Sequence, residues 1–201
     1  MSKINWACSI LLLSVATFCV AGGPPPGYTL DHQEDSPQGD IVIQYYSNPS
    51  GKHQIWLAPK SNLTNQVELF EFDRDATVVM APNEQKLVIN DFPTSSGGGP
   101  RLYNRTTGLQ FQEVANEKIS DKAFKFFVRE THLPPRLRDA FDHFSTTAFR
   151  WAKDSGAMLL SLSGHGGSHV QVDSWLCVYD LHSREPSLNL REMNEKTLSH
   201  D

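Results

Sequence analysis

The densest group of chemistry-bearing side chains is Gly164-His165-Gly166-Gly167-Ser168-His169, with Asp173 close behind. Imidazoles and a carboxylate this near one another are the raw material of a transition-metal site or of acid–base chemistry. A helix would put His165 and His169 on one face, but the glycines between and beside them exclude a helix, and no third ligand stands at a diagnostic spacing. The segment is expected to be a hairpin loop offering His165, His169 and Asp173 to a ligand, with no bound metal or cofactor.

Other candidates reduce to structure. Asp142-His143 beside Ser145 lacks the Gly-x-Ser-x-Gly elbow of a serine nucleophile and is expected at the end of a surface helix. Gly97-Gly98-Gly99 is not followed by Lys-Ser/Thr, so it is expected to be a flexible turn and not a phosphate cradle. Asp73, Asp75, Asp91, Asp154 and Asp180 fall at the ends of apolar runs, where Asp commonly closes turns. Trp56, Trp151 and Trp175 lie inside such runs and are expected in the core. No catalytic residue is assigned.

The elements that must position these residues follow an N-terminal export signal. Residues 1–22 carry Lys3, an apolar run from Ala7 to Val20 and the small residues Ala21-Gly22, which is the build of a secretory leader. The run is shorter than the roughly 20 apolar residues that span a bilayer, so no stable membrane span is expected after its removal. A lipoprotein anchored at Cys19 is the alternative, with the bulky Phe18 set against it. Loss of the leader takes Cys8 and Cys19 with it, leaving Cys177 with no intramolecular disulfide partner. In Trp175-Leu176-Cys177-Val178-Tyr179 it is expected to be a small buried hydrophobe. The chain is then secreted or periplasmic. Its net charge of −5 is the wrong sign for a phosphate-neutralising surface, and nucleic acid is excluded as a partner.

Residues 23–39 are rich in Pro, Gly and acidic residues and are expected to be a disordered linker. From Asp40 to residue 190 a single β-rich domain is expected. Short β-branched and aromatic runs recur at Ile41 to Tyr46, Gln54 to Ala58, Val67 to Phe72, Thr77 to Ala81, Lys86 to Asn90, Arg101 to Tyr103 and Leu109 to Val114. A helical insertion is expected at about 117–146. Its first helix is capped by Ser120 or Asp121 and buries Ile119, Ala123, Phe124, Phe127 and Val128. A second follows Pro135 and carries Leu137, Ala140, Phe141 and Phe144. Strands resume at Ala148 to Ala152, Ala157 to Leu162, His169 to Val172 and Trp175 to Leu181, and residues 191–201 form a polar tail.

Two stretches share one plan. Val78-Val79-Met80-Ala81-Pro82-Asn83-Glu84-Gln85-Lys86-Leu87-Val88-Ile89 runs through Ser95 to Pro100 into Leu102-Tyr103-Asn104, before the Thr107-Gly108 turn. Phe149-Arg150-Trp151-Ala152-Lys153-Asp154-Ser155-Gly156-Ala157-Met158-Leu159-Leu160 runs through Gly164 to Ser168 into Val178-Tyr179-Asp180. At these residues the chain resembles the blades of WD40-like and TolB-like β-propellers, with Ser50 to Leu57 as the remnant of a third unit. No WD dipeptide is present, and a closed propeller needs at least about four blades of roughly 40 residues. The resemblance therefore implies a mainly β fold of antiparallel, propeller-like meander sheets that do not close. Function is expected to be that of an exported, non-enzymatic binding or assembly module that meets a protein partner, or itself, through open sheet edges. The alternative is a small exported hydrolase or metal-dependent enzyme using the Gly164–His169 segment.

Overall fold

In a computed structural model of the chain, residues 22–95, 97–134, 141, 143–166 and 170–188 are described. They form twelve strands and one helix: β1 (Thr29–Asp35), β2 (Ile41–Ser47), β3 (His53–Pro59), β4 (Val67–Phe72), β5 (Ala76–Met80), β6 (Lys86–Thr94), β7 (Gly97–Thr107), β8 (Gln110–Glu113), α1 (Ile119–Glu130), β9 (His143–Trp151), β10 (Ala157–Gly166), β11 (Val170–Asp180) and β12 (Glu185–Ser187). Each strand pairs antiparallel with its neighbour in sequence within β1–β4, β5–β8 and β9–β12, giving three four-stranded meanders. The second and third join through a short parallel contact of β7 with β9, at Gly97 opposite Phe144 and Gly98 opposite Ser145. The fold is mainly β, propeller-like and unclosed.

One turn recurs at the start of each unit. Ser36 N–H donates to the Ile41 carbonyl at 2.8 Å and Gly39 N–H to the Ser36 carbonyl at 2.9 Å. The same pair of bonds links Ala81 with Lys86 and Glu84, and Ala152 with Ala157 and Ser155. The fourth residue of each turn is left-handed, with φ of 81° at Gly39, 53° at Glu84 and 60° at Ser155. The turns are also tied to one another: Gln38 N–H donates to Glu84 Oε1 at 3.0 Å, and Asn83 N–H donates to Ser155 Oγ at 3.1 Å.

This repeat corrects the expectation of a linker over 23–39, because residues 29–35 are β1 and Ser36-Pro37-Gln38-Gly39 is the first turn of a complete unit. The acidic, polar composition of β1 reflects an edge strand exposed along its whole length, not a failure to pair. Ser50 to Leu57, expected as the remnant of a third unit, is the connection between the second and third strands of that unit and the start of its third strand.

The seams between units bury alternate faces of the second strands. Ile41, Ile43 and Tyr45 of β2 pack on Val78, Leu87 and Ile89 of the second unit. On the opposite face of β6, Val88 packs with Met158, Leu160 and Leu162 of β10. Burying each such side chain contributes about 1.5–3 kcal/mol. Trp151 Nε1–H adds a bond to the Val79 carbonyl at 2.8 Å across the second seam. Trp56 and Trp151 are buried and Trp175 packs against the core, as expected. Cys177 is fully buried, and burial pushes its thiol up to about 12.

Helix α1 covers the third unit through Ile119, Ala123, Phe126 and Phe127. Its N-cap is Lys118 with no capping side chain, so neither Ser120 nor Asp121 has the expected role. Of the second expected helix, residues 135–140 and 142 lie outside the described residues. Phe144 belongs to β9. Its ring lies 4.5 Å from that of Phe124 and packs with Phe127 and Phe141, so an aromatic cluster built from helix and strand mimics the spacing of one helical face. Residues 1–21 and the tail at 191–201 also lie outside the described residues. Among those described, no helix is long and apolar enough to cross a membrane.

Candidate functional site

The Gly-His segment is less of a loop than expected. Gly164, His165 and Gly166 are the last residues of β10, and Val170 already pairs with Gly166 as the first residue of β11. His169 lies outside the described residues. The expected break between Val172 and Trp175 is also absent, because both belong to β11, where the register shifts opposite Leu162 and Gly164. At that bulge Ser174 takes φ of 55°, and its N–H donates to Ser163 Oγ at 3.2 Å. Bulges of this kind re-aim side chains near the end of a strand.

The residue that the sequence left aside is His143. It stands directly opposite His165 in the β9–β10 pair, and the two imidazole rings lie 4.5 Å apart, inclined by 35°. Gly164 makes this approach feasible: a Cβ there would come within 2.6 Å of the His143 carbonyl oxygen and 2.9 Å of the Phe144 ring. His143 was hidden because Asp142-His143 reads as a helix end beside a Phe-rich stretch. The usable signal was the β-branched pair Thr146-Thr147 that begins three residues after it.

Both rings line a cleft of about 360 Å³ between the second and third units, shared with Arg74, Asp75, Thr94 and Ser163. On the other side of His165 a second depression holds Gln171, Val172 and Asp173. Asp173 Oδ1 accepts a bond from Ser174 Oγ at 3.3 Å. The structure thus brings Asp173 beside His165 and sets His143 against the opposite side of the same strand. Among the described residues, no three or more His, Cys, Asp or Glu gather to hold a metal ion.

The stretch Gly97-Gly98-Gly99 corrects a further expectation. Gly97-Gly98-Gly99 is the start of β7 and not a flexible turn. A Cβ on Gly98 would meet the Asp91 carbonyl at 2.4 Å, and one on Gly99 would meet Ser120 Oγ at 2.0 Å. These glycines are there for close backbone approach.

The chain is similar to TolB from Acinetobacter baumannii, with a TM-score of 0.43 and 10% identity over 79% of this chain and 31% of that one. It is similar also to the β-propeller domain of the Trilobed protease from Pyrococcus furiosus, with a TM-score of 0.44 and 13% identity over 79% of this chain and 42% of that one. The likeness is one of fold. The chain spans less than half the length of either. No protein-family model matches the sequence, and no curated protein matches it.

Proposed function

We propose that this is an exported, non-enzymatic β module that works by assembly through the outward face of its third unit. The observation that carries it is an asymmetry among equivalent strands. In β2 and β6 the residues from Ile41 to Tyr46 and from Leu87 to Asn90 are buried on both faces. In β10, Met158, Leu160 and Leu162 are fully buried against the second unit, whereas Leu159, Ser161 and Ser163 on the other face are only half-buried. Leu176, paired with Ser161 in the neighbouring strand, is 36% exposed, and Phe149 on β9 is 46% exposed. Leu159 and Ser161 match Val88 and Asn90 of the second unit, which the third unit covers.

A face with central apolar residues and a hydroxyl-bearing surround suits association with a second sheet, and closure against the same face of a second copy satisfies both chains at once. Export is supported by the leader-like residues 1–22. The test is the mass of the secreted chain in solution, with its N-terminus read by mass spectrometry. Self-association that a charge at Leu176 abolishes is the expected result. A monomer that retains residues 1–22 would remove both parts of the proposal.

A further inference from the structure

His143 and His165 form a cross-strand pair at the end of β10. Two imidazoles occupy directly opposed positions on adjacent antiparallel strands, at the point where Gly164 lets those strands approach most closely. Among the described residues, His143 Nδ1 is buried with no hydrogen-bond partner. An unsatisfied ring nitrogen costs free energy unless a ligand, water or ion completes it. The exposed imidazole of His165 lies 4.5 Å from the His143 ring. The cleft has room for an ion with several waters, and Asp75 and Ser145 are among the residues that line it.

We infer that His143 and His165 together bind a divalent late transition-metal cation, with water completing the coordination. Neutral imidazole is a ligand of borderline cations such as Cu²⁺, Ni²⁺ and Zn²⁺, and it gives Ca²⁺ and Mg²⁺ little. Among divalent first-row ions, Cu²⁺ binds nitrogen sites most tightly, so it is the probe of choice. Two protein ligands leave open positions, which makes this an exchangeable site and not a structural one. The ligand pair differs from the one that the sequence suggests: the partner of His165 comes from β9, across the sheet, and not from further along the same segment. The site lies at the opposite end of β10 from the turn at Ala152, and it does not depend on the assembly proposed for the outward face.

The experiment is a Cu²⁺ titration of the full chain by calorimetry, with electron paramagnetic resonance of the loaded protein. One Cu²⁺ per chain is expected, with nitrogen hyperfine structure and binding weakened about tenfold or more in H143Q and in H165Q. H165Q alters an exposed side chain and keeps the test valid if H143Q does not fold. The inference is overturned if no Cu²⁺ binds. It is equally overturned if binding and spectrum persist in the folded double variant, since the copper would then sit on other histidines.

Discussion

Asn90 and Ala148 lock the second unit to the third: the Asn90 amide donates to the Ala148 carbonyl at 2.7 Å and accepts from the Ala148 N–H at 2.9 Å. A buried side chain here replaces the backbone partner that β9 lacks along this stretch. The equivalent residue of the first unit, Tyr45, does the same for the first seam by accepting from Val78 N–H at 3.1 Å. In the third unit the corresponding residue is Ser161, half-buried on the outward face.

Replacing Asn90 by Ala strands two buried backbone groups of Ala148 at once. A loss of about 1–3 kcal/mol is expected, measured by urea denaturation. An unchanged midpoint would show that water or a shifted β9 satisfies both groups.

Gly97 and Gly98 should differ sharply although they are adjacent. Gly97 has open space where a Cβ would go, and Gly98 does not. G97A is expected within about 0.5 kcal/mol of the parent, whereas G98A and G164A should each cost about 1–3 kcal/mol through overpacking. Thermal unfolding of the three variants is the measurement.

Much of this architecture was legible in the residues and some of it was not. The strand runs from Ile41 to Val114 were visible because β-branched and aromatic residues alternate with strong turn residues, and the echo between the second and third units survives in their turns. The first unit was read only in part, because its edge strand, Thr29–Asp35, is exposed along its whole length and so carries no apolar pattern. The His143–His165 contact was missed because cross-strand register is not written in local spacing. The same limit hid the role of Gly164, since a glycine needed for close approach looks in sequence like a loop glycine.

Stability toward acid should report on Glu117. Burial alone would raise its carboxyl, but the Tyr179 hydroxyl, the Lys122 ammonium at 3.0 Å and the Arg184 guanidinium at 3.7 Å together hold it below the ordinary value. A depressed folded-state pKa gives stability that is present above the ordinary value of 4.5 and is lost as pH falls through the folded value. E117Q is therefore expected to be weaker than the parent at pH 7 by about 1–3 kcal/mol, with the difference shrinking in acid. A constant difference from pH 7 to pH 3 would contradict this origin.

Cys177 should be inert toward thiol reagents in the folded protein. It is fully buried in β11, and burial pushes its pKa up to about 12, so thiolate is scarce at neutral pH. Reaction with a chromogenic disulfide is expected to track global unfolding in denaturant. Rapid labelling without denaturant would mean that the β10–β11 pair opens locally.

The central claim, that the outward face of the third unit is built to be covered, is tested most directly by light scattering behind a sizing column on the chain and its L176E variant. The account predicts a dimer or larger species that L176E reduces to a monomer with the same circular dichroism spectrum. A parent that stays monomeric at every concentration would contradict it.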